Sequence, residues 1–288
     1  MTKIIPRNLI KHLEWDPKQA TAPVVNTPTK PVNTPQGVNF SKNPSESFIM
    51  SYDGIHGEYF QELISKVNET YAGTKAEIPT GTSGEVQNMY AIKRMALIST
   101  IANNPDLQNH GFYPITPIQS ESLLKEGKLP DPSKYWEDLA LLLYDVNGNN
   151  SKEAQALKEG IMQHRTDLNL SENDLEKKLF IINAGGEVNS EMPHGIKPII
   201  IPGITQVYTH EILDKIGENH KFEYGLDRGL PAVDEIGKGD RTLYMPSGDN
   251  IGLRVLFRGR GLGLGAGYWD LSGSSSYGRV NFARSASP

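Results

Sequence analysis

The sequence predicts a mixed α+β protein in which two helices precede a half that is rich in strands and loops. Residues 56–71 carry apolar side chains at helical spacing, which indicates an amphipathic helix. The run 86–101 is apolar on most faces and indicates a second, well-buried helix. From residue 221 onward, Gly, Pro and Asp punctuate short apolar runs such as RTLYM and LRVLF, a pattern typical of strands joined by loops.

Bulk composition excludes several protein classes. Of 288 residues, 37% are hydrophobic, which is enough to fill the core of one large domain or two small ones. The absence of cysteine excludes a disulfide-stabilised fold and a Cys-ligated metal site. The net charge of −5 gives no global indication of a nucleic-acid or membrane partner. No stretch reaches the roughly 18 apolar residues of a membrane span, so we expect a soluble chain with no direct membrane span.

Residues 1–46 read as an N-terminal segment and a linker rich in Pro and Thr. The tetrapeptide VNTP occurs at 25–28 and again at 32–35. Prolines at this density favour extended conformations and prevent helical packing. The first 16 residues lack the apolar core of a signal peptide, which leaves the localisation unknown. We therefore expect a single folded domain over residues 47–288.

The boundaries of the two helices can be predicted from local signals. Gly73 is expected to end the first helix. Thr82 and Glu85 have the spacing of a capping box, which places the start of the second helix at Thr82. Pro105 is expected to close it.

The middle of the chain supports an alternative fold class. Residues 139–146 resemble a buried strand and residues 151–165 a helix, and two strand-like runs (KLFIINAG and KPIIIPG) and a short helix (HEILDKIGE) follow. Such alternation is typical of βαβ units, so the alternative is an α/β fold with a parallel sheet. In that case the protein would be an enzyme that uses the 139–215 region, with a pocket at the carboxyl ends of the strands.

The last 38 residues form a distinct compositional block. They hold eight of the 28 glycines, five arginines and one aspartate, with no Lys, Glu or His, which gives a formal charge of +4. Arginines interleaved with aromatic residues are typical of single-stranded nucleic-acid binding. A nucleic-acid-binding module that uses this Arg-rich tail is therefore a second alternative, although the acidic charge of the whole chain argues against it.

Within this block, glycine occupies every second position from Gly259 to Gly267. The spacing G-x-G-x-x-A occurs here, but no helix pattern and no suitably placed acidic residue follow it, so we expect no nucleotide cofactor. In a strand, alternate residues point to opposite faces. The leucines and alanine would then face the core, and Phe257 and the glycines would face outward. Arg258 and Arg260 interrupt the apolar face, so we expect them near a strand end or paired with acidic residues.

Metal-binding and catalytic motifs are incomplete. Three side chains imitate the first ligands of a calcium loop: Asp145, Asn147 and Asn149. The glycine that this loop requires is Asn150, and its twelfth ligand is Ala156. His210 is followed by Glu211 but has no second histidine at zinc-protease spacing, and His194 is a lone loop histidine. We therefore expect no metal site and no catalysis.

The stretch LRVLFRGRGLGLGAGYWDLSGSSSYGRVNFA resembles the variable region that ends the target proteins of diversity-generating retroelements, in particular the archaeal variable proteins of Nanoarchaeota-related organisms. The resemblance rests on the opening L-R-x-L, the alternation L-x-L-x-A, the motif D-L-S-x-S and the closing G-R-V. It covers residues 253–283 strongly and the rest of the chain only in its layout.

The resemblance implies a C-type-lectin-like fold, in which the two termini pair in a sheet, two helices pack on it and the C-terminal segment forms an exposed binding face. In this family a reverse transcriptase rewrites adenines, and Asn codons can become Gly, Ser, Tyr, Phe, Asp or Arg codons but never a stop. Trp269 cannot arise from an Asn codon with an unchanged third base, so it is either scaffold or derived from another codon. The E-P-N and W-N-D motifs of calcium-dependent lectins are absent, so no calcium-dependent sugar site is implied.

The resemblance therefore implies a non-catalytic ligand-binding protein, without cofactor or metal, displayed at a cell surface or outside the cell. Its partner would be a protein or another surface macromolecule and not a nucleic acid. The expected ligand-binding positions are Phe257, Gly259, Gly261, Gly263, Gly265, Gly267, Tyr268, Trp269, Ser275, Tyr277 and Asn281. The expected scaffold of the variable region is Leu256, Leu262, Leu264, Ala266, Leu271 and Val280.

Overall fold

The computed structural model describes residues 40, 43–80, 84–248, 251–267, 271–273 and 275–284, and these ranges form a mixed α+β structure. The helices are α1 (Gly57–Tyr71), α2 (Ala91–Ala102), α3 (Pro105–Asn109), α4 (Pro117–Lys125), α5 (Ser151–Gln163) and α6 (Glu172–Leu175). The strands are β1 (Glu46–Ile49), β2 (Phe112–Pro114), β3 (Glu137–Leu143), β4 (Leu179–Ile182), β5 (Gly185–Val188), β6 (Ile196–Ile199), β7 (Gln206–Thr209), β8 (His220–Phe222), β9 (Arg241–Tyr244), β10 (Leu253–Arg258), β11 (Leu264–Gly265) and β12 (Asn281–Arg284). Most of the predicted N-terminal segment and linker lies outside the described residues.

The first helix lies where its periodicity predicts. α1 buries Phe60, Leu63, Ile64 and Val67 along one face, since residues three and four apart share a side of a helix. α2 is buried on nearly every side, as its continuous apolar run indicates. None of the helices in the described ranges is both long and apolar enough to cross a bilayer.

The predicted start of the second helix is wrong. Thr82 lies outside the described residues, and α2 begins nine residues later, at Ala91. The part of the intervening backbone that the structure describes is not helical and pairs with other segments. The Val86 N–H donates to the Met50 carbonyl at 3.2 Å, and the Met89 N–H donates to the Gly278 carbonyl at 3.2 Å. Long-range pairing of the backbone has therefore overridden the local capping signal.

The alternative α/β fold with a parallel sheet is also wrong. The central sheet has the strand order β7-β4-β3-β10-β11-β9-β8, and β9 with β11 is its one parallel pair among the described strands. β3 and β4, which flank α5 in the sequence, are antiparallel, with Leu141 opposite Ile181. The residues between α5 and β4 return the chain to the end of the sheet at which β3 finishes, so the helix makes no parallel crossover.

β3 is uniformly apolar because both faces of the central sheet are covered. Leu141 and Leu143 contact the core shared with α1, α2 and α5. Leu142 and Ala140 contact a second core on the opposite face, which includes Phe180. A continuous apolar run usually suggests a parallel sheet, but two covered faces are sufficient to produce it.

A second sheet joins the two ends of the described chain. β12 lies between β1 and β2 and is antiparallel to both, with Phe48 opposite Phe282. The ring of Phe60 from α1 packs against Phe282 with 4.9 Å between the ring centroids. Phe40, before the first strand, is buried against Tyr113 of β2.

Candidate functional site

The glycine run forms a β-hairpin and not a single strand. β10 ends at Arg258, and the chain turns through residues 259–263 before it returns as β11, antiparallel to β10. The Gly259 N–H donates to the Gly263 carbonyl, and the Leu262 N–H donates to the Gly259 carbonyl, both at 2.9 Å. The predicted alternation of faces is therefore wrong across the turn, because a turn has no two-residue side-chain period.

The residues predicted as scaffold divide into two groups. Five of them lie in the core, each at most 1% exposed: Leu256, Leu264, Ala266, Leu271 and Val280. The prediction that Leu262 faces the core is wrong, because this side chain is half-exposed in the hairpin turn. Its φ of +63° is a left-handed conformation that a leucine rarely adopts.

Phe257 is not part of an exposed face. Its side chain is only 6% exposed and stacks on Trp136, with 5.2 Å between the ring centroids. The face of β10 that carries Phe257 is covered by the core shared with α1, α2 and α5. In the neighbouring strand β11, Gly265 lies opposite Phe257. A Cβ atom at residue 265 would lie 2.2 Å from the Phe257 ring, so this glycine makes room for the aromatic side chain.

Two further glycines that were predicted to face outward are constrained by backbone. A Cβ atom at Gly267 would lie 2.5 Å from the Cα and N atoms of Pro246. A Cβ atom at Gly263 would lie 2.8 Å from the Thr242 carbonyl oxygen. Real Cβ atoms do not approach other atoms this closely. Packing therefore disfavours side chains at Gly263 and Gly267, as it does at Gly265 beside the Phe257 ring.

Gly259 and Gly261 have room for side chains. A Cβ atom at Gly261 would have no atom within 4 Å, and one at Gly259 would make ordinary contacts at 3.9 Å or more. Neither glycine has a positive φ, so an L residue fits the backbone at both positions. Side chains therefore fit at these two positions, and their variability stays a prediction.

Asn281 is buried, which corrects its assignment to the binding face. Its side-chain Nδ2 donates to Glu137 Oε2 and to the Tyr135 hydroxyl, both at 2.8 Å, and its backbone N–H donates to Glu137 Oε1 at 2.8 Å. Glu137 also forms a fully buried ion pair with Arg258 at 3.0 Å. This network joins β3 to β10 and β12. Arg258 lies at a strand end and pairs with an acidic residue, as the sequence predicts.

Asp138, which lies opposite Phe257 in the sheet, should make the stability of the protein depend on pH. Burial raises the pKa of its carboxyl to about 7, and the Ala91 N–H and Arg94 offset this only in part. Between about pH 4 and 7 the folded protein therefore holds a proton that the unfolded chain has lost, so the contribution of Asp138 to stability falls as pH rises. We expect the free energy of unfolding to fall by roughly 3 kcal/mol across this range relative to Asp138→Asn, and to level off above pH 7. Urea unfolding of both proteins measures this difference, and parallel pH profiles would contradict the raised pKa.

The exposed part of the segment is centred on Arg260 and Tyr277. The Arg260 guanidinium lies 4.4 Å from the centroid of the Tyr277 ring, which is 49% exposed. The Ser275 hydroxyl accepts a hydrogen bond from the Tyr277 N–H at 3.2 Å and fixes this turn. Tyr244 of β9 is 40% exposed beside the hairpin. We call residues 259–262 together with Tyr244, Ser275 and Tyr277 the hairpin surface.

Three residues of the hairpin surface are not among the ligand-binding positions predicted from the sequence: Arg260, Tyr244 and Leu262, which is predicted as scaffold. In one continuous strand, Arg260 would lie on the same inward face as the leucines. A charged side chain at such a position indicates that the strand ends before it. Tyr244 gives no signal, because it belongs to an ordinary strand-like run. The predicted positions Tyr268 and Trp269 lie outside the described residues.

Three arginines of the C-terminal block are used inside the protein. Arg258 pairs with Glu137, Arg279 pairs with Glu85 at 3.0 Å, and Arg254 contacts the Asn149 side chain at 2.6 Å. Of the five, Arg260 and Arg284 instead lie over the rings of Tyr277 and Phe112. The positive charge of the block is therefore mostly structural.

The side chains that imitate a calcium loop also make internal contacts. Asp145 accepts hydrogen bonds from the Asn147 N–H at 2.7 Å and the Gly252 N–H at 3.1 Å. His194 lies 3.0 Å from the buried Glu153. In the described ranges, no three His, Cys, Asp or Glu residues are grouped closely enough to hold a metal ion.

In comparisons with family models, curated proteins and solved structures, the chain matched none of them.

Proposed function

We propose that this protein is a non-catalytic ligand-binding protein whose C-terminal segment is diversified by a retroelement and presents the hairpin surface to its ligand. The observation that carries the proposal is the sharp division within one short segment. Five anchoring side chains are buried, whereas Arg260, Gly261 and Tyr277 are exposed, and side chains would fit at Gly259 and Gly261 without close contacts. Such a division lets exposed residues change while the fold is retained.

The pairing of the ends of the chain supports a C-type-lectin-like fold. β1 and β12 form adjacent antiparallel strands, and α1 packs against β12 through Phe60 and Phe282. These are the features that the resemblance implies for such a fold. The large central sheet places β10 and the hairpin on a rigid support, which is what a displayed binding segment needs.

The chemistry of the hairpin surface favours a protein partner. Tyrosine and arginine are enriched among the residues that dominate the energy of protein interfaces. Tyr244 and Tyr277 offer large contact areas at low cost in side-chain entropy. A phosphate backbone would need several exposed cations, and the internal use of Arg254, Arg258 and Arg279 leaves few for that purpose.

Sequencing the gene from many cells of the source population tests this proposal. We expect substitutions to concentrate in the codons of residues 259–262, 275 and 277, and to spare the codons of the buried anchors and of the control strand β3. A partial copy of the 3′ end of the gene should lie beside a reverse transcriptase gene and differ from it only at adenines. A uniform distribution of substitutions, or the absence of such a copy, would refute the proposal.

A further inference from the structure

A polar cleft lies at the β7 edge of the central sheet, and it shares no lining residue with the hairpin surface. Its volume is about 690 Å³. Its charged lining consists of three cations (Lys177, Lys178 and Arg228) and four carboxylates (Glu211, Asp214, Asp227 and Asp234), and Thr209 and His210 also line it. A cleft of this size is large enough for a small ligand.

The loop that carries Arg228 is held in place by contacts with α4. Gly229 has a φ of +104°, and a Cβ atom there would lie 2.1 Å from the Cβ of Pro117. The Gly225 N–H donates to the buried Glu121 carboxylate at 2.7 Å, and the same carboxylate forms an ion pair with Arg241. The loop is therefore preorganised and does not need to be ordered by a ligand.

Arg228 combines a strained backbone with an available side chain. Its φ of +56° is rare for a residue with a long side chain, and strained backbone of this kind concentrates at functional sites. The guanidinium stacks on Tyr208, 4.6 Å from the ring centroid, and donates only a long hydrogen bond of 3.5 Å to the Thr209 carbonyl. No carboxylate of the described residues lies within salt-bridge distance of it.

The other cations of the cleft differ from Arg228, because each has a carboxylate partner: Lys177 lies 3.3 Å from Asp174. Lys178 is neutralised by Asp214 at 3.1 Å. The His210 Nδ1 accepts a hydrogen bond from the Ile212 N–H, so Nε2 carries the proton and faces the Asp227 carbonyl and carboxylate at 3.3 and 3.4 Å. Burial lowers the pKa of His210, which keeps the ring neutral at pH 7. His210 thus orients Asp227, whose carboxylate is 46% exposed to the cleft.

We propose that this cleft binds a small ligand that carries an oxyanion group, a carboxylate or a phosphate, together with hydroxyl groups. Arg228 binds the oxyanion, because its planar guanidinium offers paired donors that match such groups. Asp227 accepts hydrogen bonds from the hydroxyl groups, because an ionised carboxylate is purely an acceptor. The proposal goes beyond the proposed function and does not depend on it.

NMR titrations of the full chain at constant ionic strength test the proposal with four probes: gluconate, glycerol 3-phosphate, acetate and glycerol. We expect saturable shifts of the backbone amides of residues 227–230 with gluconate or glycerol 3-phosphate, and the tighter of the two identifies the oxyanion as a carboxylate or a phosphate. Acetate should bind the same amides at least fivefold more weakly than gluconate, and glycerol should not saturate them.

Two variants complete the test. Arg228→Asn removes the guanidinium but keeps a residue that tolerates the left-handed conformation, and it should weaken binding of the tighter probe at least fivefold. Arg165→Asn is the matched control, because Arg165 pairs with Glu172 at 2.8 Å outside the cleft, and it should change the affinity less than twofold. Binding that survives Arg228→Asn, or the lack of saturable shifts at 227–230 with both anionic hydroxylated probes, would overturn the proposal.

Discussion

Arg258→Ala should lower the free energy of unfolding by about 3–5 kcal/mol, because it leaves the carboxylate of Glu137 buried without its cation. Neither side chain of this ion pair is exposed to solvent, and the Arg258 guanidinium also donates to the Pro132 carbonyl at 2.7 Å. Urea unfolding monitored by tryptophan fluorescence gives the difference, provided that the slope of the transition stays constant.

The matched control is Arg260→Ala, two residues further along the chain. Arg260 is exposed and contacts the Tyr277 ring, an interaction worth about 0.5–1 kcal/mol at the surface. We expect this variant to stay within about 1 kcal/mol of the wild type. Equal destabilisation by the two variants would show that the buried network contributes nothing specific to the fold.

Gly267→Ala should destabilise the protein by about 1–3 kcal/mol, whereas Gly261→Ala should change its stability by less than about 0.5 kcal/mol. The first substitution drives a methyl group into the backbone of Pro246, and the second adds one in open space. The two glycines belong to the same alternating run and undergo the same substitution. A difference in stability between the variants therefore reports the packing around each glycine. Thermal unfolding of both variants measures the difference, and a harmless Gly267→Ala would mean that the Pro246 segment moves aside easily.

Much of the fold could be predicted from local patterns, and the errors have a common physical cause. The spacing of apolar residues predicts α1, because that helix packs one face on the core. The start of α2 and the direction of β4 depend on hydrogen bonds to residues far away in the sequence, such as Met50 and Leu141. Such contacts leave no local signal.

The candidate site shows the same limit. Leu256 and Leu264 are buried as the alternation predicts, because they lie on the two strands of the hairpin, and Ala266 directly after β11 is buried as well. The alternation could not show that both faces of β10 are covered by cores, so it places Phe257 and its strand partner Gly265 on a surface on which neither lies. Asn281 was misassigned because the buried partner of its amide, Glu137, lies in a different strand.

The position of β12 between β1 and β2 makes folding depend on an intact C-terminal segment. The last described strand completes a sheet whose other members come from the start of the domain and from its middle, and it supplies Asn281 to the buried network. A frameshift or premature stop within residues 253–280 would remove this strand and leave β1 and β2 without their shared neighbour. Chains truncated in this way should fail to fold and be degraded. Under the proposed function, only genes that keep the reading frame through a diversified segment would yield a folded protein.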